Sequence, residues 1–198
     1  MQTMKDFRII LIGGGSSSGK STLAKSLAEK LGINLLHLDD VRIAIQQTHN
    51  KEHPINYFLD KKVFVNEDIK TLVEKHNEVS KIVCDGLIAI IEHHELMRDS
   101  IIIEGDDILP EFAAKVIQKE YVSAIFIIET AAEKIRLNLT NRGRGIRQLS
   151  DSQLNKMIDF IALDNKRISE DAKRLNLPTL ESQPNESLIQ RALRSLSA

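Results

Sequence analysis

One stretch constrains this chain more than any other: residues 9–22, IILIGGGSSSGKST. Ile9 to Ile12 is a short apolar run that reads as a buried strand, and the segment TLAKSLAEKL carries apolar residues at helical spacing up to Gly32. Between them, Gly14, Gly19, Lys20 and Ser21 satisfy G-x-x-x-x-G-K-[ST], and Thr22 follows. The spacing has a physical reason. From Gly14 through Gly15, Ser16, Ser17 and Ser18 to Gly19 the backbone must curl so that successive N–H groups face phosphate oxygens, and Gly and Ser allow that curl. The amino terminus of the following helix adds partial positive charge. In such a loop Lys20 neutralises β- and γ-phosphate charge, and the Ser21 hydroxyl takes a coordination site on Mg²⁺. A Gly/Ser linker has a similar composition but does not sit between a strand and a helix. The stretch predicts nucleoside triphosphate binding and leaves any second substrate open.

The remaining bounds are broad. A length of 198 residues suits one α/β domain spanning 1–198, with a small lid near 138–150. The net charge of −1 argues against general nucleic-acid binding, and with no Trp and few aromatics a stacking platform for single strands is not expected. Cys84 is the only cysteine, so no intrachain disulfide framework exists. Lys5 and Asp6 interrupt the start, the apolar run after them is too short for a signal peptide, and no stretch approaches membrane-spanning length. The expectation is a soluble cytoplasmic protein without membrane contact, as a monomer or homodimer.

Taken in order, INLLHL (33–38) reads as a second buried strand ending in Asp39 and Asp40, with Arg42 after it. Carboxylates at the end of a parallel strand lie on the rim where open α/β sheets bind ligands. HNKEHPINYFLD (49–60) reads equally as a substrate-facing segment or a surface loop. Residues 62–98 read as helical in two or three pieces, with a break near Gly86. SIIIEGDDILP (100–110) is a short strand ending in Glu104, a turn at Gly105, then Asp106 and Asp107. An acid at the end of a strand beside a phosphate loop stands where a Walker B carboxylate or a catalytic base belongs. VSAIFII (122–128) is a further strand. The next helix runs into Gly143 and Gly145, and from Lys134 to Arg147 the chain holds Arg136, Arg142 and Arg144 with no acid. One-signed charge around two glycines suits a lid that closes cations over phosphates. Ser150 reads as the cap of a helix over about 151–175, and a last strand (178–180) and helix follow. LSDSQ (149–153) lacks the glycines of a transporter ATPase signature, and Asn165-Lys166 lacks the Asp of a guanine-binding motif. The alternation implies a three-layer αβα sandwich around a five-stranded parallel sheet.

With these residues in hand, the chain resembles the P-loop metabolite and nucleotide kinases, most closely the 2-phosphoglycerate kinase-like group, related to zeta-toxin and chloramphenicol-phosphotransferase types. The resemblance rests on GGGSSSGKST (13–22), LDDVR (38–42), IIIEGDDILP (101–110), the arginine segment (136–147) and DAKRLNLPTLES (171–182). It implies an ATP- and Mg²⁺-dependent phosphotransferase acting on a small hydroxyl-bearing acceptor. It implies Asp39 as base or hydroxyl orienter, Arg42 as a holder of an anionic acceptor group, and Glu104 as an organiser of Mg²⁺ or an acceptor contact. Arg142 or Arg144 would arrive with the lid. The group usually follows Glu-Gly with apolar or His residues, whereas this chain has Asp106 and Asp107, and Asp40 doubles the charge after the second strand. Extra acids at an acceptor pocket repel a highly anionic acceptor such as a phosphoglycerate, so the acceptor stays open. A nucleoside or nucleotide kinase, with Tyr57 and Phe58 stacking on a base, and a nucleotide-binding regulator with little turnover are the competing readings.

Overall fold

The most apolar runs of the chain lie side by side in the middle of one sheet. In the computed structural model, which describes residues 7–60, 62–142, 149–183 and 185–196, β1 (Ile9–Gly13) pairs with β3 (Ile101–Glu104) on one side and β4 (Val122–Ile128) on the other. β2 (Asn34–His37) and β5 (Thr179–Glu181) form the edges, giving the order β2-β3-β1-β4-β5 with every pair parallel.

Alternation along the strands sorts the side chains into two layers. Ile9, Leu11, Ile101, Ile103 and Phe126 pack with α4 (Ile69–Met97), α5 (Pro110–Val116) and α7 (Asp151–Arg174). Ile10, Ile12, Ile102, Ile125 and Ile127 pack with α1 (Lys20–Leu31) and α8 (Asn185–Leu196). A smaller cluster, Ile135, Leu139, Ile158 and Ile161, joins α6 (Ala132–Arg142) to α7. This is the αβα sandwich that the alternation of elements implies. Ser150 caps α7 reciprocally with Gln153.

Three expectations change. β2 is an edge strand and not a buried one, with Asn34 and His37 exposed and Leu35 and Leu36 half-buried. The region 62–98 is not broken at Gly86: after a single turn, α3 (Val63–Asn66), α4 runs through 29 residues. Asp68 caps its start by accepting a hydrogen bond from the Thr71 amide at 2.8 Å. Gly86 serves packing, since a Cβ there would stand 3.1 Å from Cδ1 of Ile45 on α2 (Leu38–Gln47). The segment 49–60 is not a plain surface loop either. Pro54–Leu59 forms a 3₁₀ turn that buries Ile55 and Asn56. Among the described residues, no helix is long and apolar enough to cross a membrane.

The strand order decides where a ligand can sit. From β1 the chain crosses to edge strand β2, returns through β3, then passes to the far side of β1 for β4. The carboxyl ends of β1 and β3 therefore flank the switch point, the crevice where open α/β sheets take ligands. Register puts Ile12 opposite Glu104, and His37 opposite Glu104 from the other side.

Candidate active site

The loop after β1 is built on left-handed backbone. Gly14 has φ 126°, and a Cβ on it would lie 2.0 Å from the Ile127 carbonyl oxygen. Gly19, with φ 90°, ends the loop at the start of α1. Between them Ser17 takes φ 61°, a conformation uncommon for a residue with a side chain. Two asparagines far along the chain hold the loop in place. Asn138 donates to the Ser17 carbonyl at 2.8 Å. Asn165 donates to the Ile161 carbonyl at 3.0 Å and to the Ser16 carbonyl at 3.4 Å, and accepts from the Glu129 amide. Lys20 is buried, and its ammonium donates to the Gly15 carbonyl at 2.8 Å.

The hydroxyls of Ser17 and Ser18 are buried and have no hydrogen-bond partner within the protein. Orphaned donors in a left-handed loop at a helix amino terminus, with a buried lysine beside them, fit a polyphosphate. Next to the loop lies a cavity of about 400 Å³, lined among others by Gly19, Thr22, Asn138, Asn141 and Ser182.

Across the switch point, charges are concentrated. Glu104 is 5% exposed, and its Oε1 lies 2.6 Å from Nδ1 of His37, which ends β2. Beyond it Asp106 and Asp107 turn toward Arg42. That guanidinium donates to Asp39 at 2.7 Å and to Asp107 at 3.0 Å, and stands 3.7 Å from Asp106. Asp107, fully buried, also accepts from the Ser80 hydroxyl at 2.9 Å. His76 of α4 lies 3.0 Å from Asp164 and 3.7 Å from Asp107, and Asp164 accepts from Arg167 at 2.8 Å.

These charges set one another's protonation. Burial alone raises a carboxyl pKa, yet Lys20 first, then Arg42 and His76, outweigh it and hold Asp106 down at about 2. Burial works against the His76 cation, but the charge of Asp164 3.0 Å away, with Asp106 and Asp107, pushes it up to about 9. Asp107 is raised by burial and by the neighbouring charge of Asp106. One oxygen of this network, Oδ1 of Asp106, is buried without a hydrogen-bond partner.

The structure thus brings Lys20, Asp39, Arg42, Glu104 and Asp106 to one rim. Asp39 and Asp40 differ in setting from the expectation: they do not trail from the strand but occupy the first turn of α2, where carboxylates favour the helix dipole. Of the basic run, Lys134 lies 3.7 Å from Glu129, and Arg136 donates to Asn155. Arg142 closes α6, with its side chain outside the described residues, and Arg144 and Arg147 fall in 143–148, also outside them. Sequence reasoning missed His37, His76, Ser80, Asn138, Asp164 and Asn165. A signal existed for two of them. His76 interrupts the apolar stripe of α4 between Val73 and Val79, and Asn165 that of α7 between Ile161 and Ile168. A polar residue on a buried stripe must have a partner.

Comparison with known proteins bears on the fold. The curated 2-phosphoglycerate kinase of Methanocaldococcus jannaschii is 24% identical over 195 residues, 96% of this chain and 63% of that protein. The chain therefore spans less than two thirds of that relative's length. Shikimate kinase from Bacteroides thetaiotaomicron has a TM-score of 0.56 at 16% identity, covering 97% of this chain and 99% of that one. Deoxyadenosine kinase from M. mycoides with bound dATP has a TM-score of 0.54 at 11% identity, covering 97% and 100%. A family model described as AAA domain (AAA_17) matches residues 13–155. That match takes in well over half of the residues, so the chain belongs to the AAA_17 family, and it carries the fold of the P-loop small-molecule kinases.

Proposed function

We propose that the protein is an ATP- and Mg²⁺-dependent phosphotransferase that moves the γ-phosphoryl group of ATP to a hydroxyl of a small metabolite. One observation carries this reading. A loop whose buried Ser17 and Ser18 hydroxyls have no hydrogen-bond partner lies across the switch point from Asp106, whose Oδ1 also lacks one and feels the charge of Lys20. Phosphoryl transfer asks the protein for little beyond positioning and charge neutralisation, and this rim is equipped for both.

The backbone amides from Gly14 to Gly19, with the Ser17 and Ser18 hydroxyls, would hold the phosphates, and Lys20 would turn from Gly15 to them. Mg²⁺ would supply neutralisation of phosphate charge; Ser21 and Asp106 are the side chains that would hold it, with Glu104, fixed by His37, on the same rim. Asp39, held by Arg42, would accept or orient the acceptor's hydroxyl proton. Asp106, held in its charged form by Lys20, Arg42 and His76 and with an oxygen lacking a hydrogen-bond partner, suits a cation or a hydrogen-bond donor. A lid arginine, Arg142 or Arg144, would add charge over the γ-phosphate.

The test is acceptor-stimulated ADP release with Mg-ATP against pools of sugars, hydroxy acids, nucleosides and other alcohols. Asp39→Asn and Lys20→Ala run beside the wild type. Stimulation by one pool that both variants lose supports the reading. A flat response across all pools, with ATP binding seen separately by thermal shift, would make the protein a nucleotide-binding regulator.

A further inference from the structure

A second cavity has a volume of about 330 Å³. Ser16, Arg42 and Asp106 are among its lining residues, so it adjoins the candidate active site. Part of its wall is aromatic. The rings of Phe58, Phe64 and Phe160 lie 5.8–6.3 Å apart pairwise, and His76 is edge-on to Phe58 and Phe160 at 6.1 and 5.9 Å. Phe58 comes from the 3₁₀ turn, Phe64 from α3 and Phe160 from α7.

Two observations limit what fits. The two cations that line this cavity among its described residues already have carboxylate partners. Arg42 is shared by Asp39, Asp107 and Asp106, and His76 by Asp164 and Asp107. A doubly anionic acceptor would have to draw Arg42 from a fully buried Asp107, leaving that carboxylate only the Ser80 hydroxyl at 2.9 Å and His76 at 3.7 Å. It would also meet Oδ1 of Asp106, which has no hydrogen-bond partner and can accept one from a neutral hydroxyl but not from an anion without a proton.

We infer that the acceptor is an uncharged alcohol with a flat or apolar body, its body against Phe58, Phe64 and Phe160 and its hydroxyl end toward Asp106 and Arg42. The inference rests on the phosphotransferase reading. The alcohol oxygen bonds to the γ-phosphorus as the bond from that phosphorus to the β–γ bridging oxygen breaks. ADP leaves with the electron pair, and the hydroxyl proton passes to the Asp39 carboxylate. Nucleosides and aryl-alkyl alcohols share this chemistry.

The experiment measures ADP release from the full chain with Mg-ATP and three acceptor sets: nucleosides, aryl-alkyl alcohols and phosphoglycerates. In parallel, calorimetry measures binding of each set beside a non-hydrolysable ATP analogue. One of the uncharged sets should stimulate release and the phosphoglycerates should not. Phe160→Ala should raise KM for that acceptor about tenfold through lost apolar and ring contact, with KM for ATP within about twofold. Phe64→Ala, on a separate element, should act in the same direction. Stimulation by phosphoglycerates alone overturns the inference and leaves the phosphotransferase reading standing. Phe160-dependent binding of uncharged alcohols without turnover keeps the cavity assignment and removes the transfer reading. Neither binding nor stimulation by the uncharged sets overturns the inference.

Discussion

The two halves of the candidate site are built in opposite ways. The phosphate half is ten consecutive residues, 13–22, and its shape is set by backbone: left-handed φ at Gly14, Ser17 and Gly19. The acceptor half draws Asp39 and Arg42 from α2, Phe58 from a 3₁₀ turn, His76 from α4, Asp106 from the turn after β3, and Phe160 and Asp164 from α7. Its chemistry is side-chain charge and ring surface, and it exists only once the sheet has set these elements side by side. The contrast teaches why the donor is easier to assign than the acceptor. Backbone recognition leaves a compact signature of spacing, whereas a pocket of converging side chains leaves none.

The contrast can be broken or sharpened by substitution. The largest effect is expected at Lys20. Lys20→Ala should lower turnover by about 10³-fold, since it removes a preorganised charge from the phosphates, while thermal denaturation stays close to wild type. The next largest effect separates two acids. Asp106→Asn should cost about 10²-fold in turnover and weaken Mg²⁺ activation. Glu104→Gln should cost less, because Glu104 is already engaged by His37 at 2.6 Å whereas Asp106 has an oxygen to offer. The reverse order in a Mg²⁺ titration would return the metal role to Glu104.

Asn165→Leu attacks the phosphate half from outside its motif. The change removes the contacts to the Ser16 and Ile161 carbonyls and to the Glu129 amide. A loss of about 1–3 kcal/mol is expected from leaving buried groups unpaired, read as a lower denaturation midpoint with a raised KM for ATP. The smallest effect belongs to the acceptor half and needs only a change of pH. His76 has a folded pKa of about 9, above its ordinary 6.5, so its contribution is complete below about pH 6.5 and is lost as pH rises through 9. The melting temperature should fall across that window, by about 2–4 °C for each kcal/mol lost. His76→Gln should flatten the fall.

Much of the fold was legible in the sequence because it depends on short periodic patterns. The runs at Ile9 to Ile12 and Val122 to Ile128 are apolar on both faces, as strands covered on both sides must be, and Gly32 and Ser150 are caps with local chemistry. Gly86 misled because a glycine inside a helix pattern suggests a break, while its use here is to admit Ile45 of another helix, a relation between segments 41 residues apart. The same limit applies to the site. Lys20 and Ser21 are marked by their motif, and Glu104 and Asp39 by the strand ends before them. Asn165 and His76 owe their place to partners on other elements, and only their interruption of an apolar stripe hints at it.

The central claim is that both halves act on one phosphoryl group. The most direct measurement is mass spectrometry of an alcohol pool incubated with Mg-ATP and the protein, with Lys20→Ala as control. One pool member should gain a single phosphoryl mass in step with ADP formation, and Lys20→Ala should slow that gain by about 10³-fold. ADP formed with no alcohol modified, or a product formed at the wild-type rate with Lys20→Ala, would contradict it.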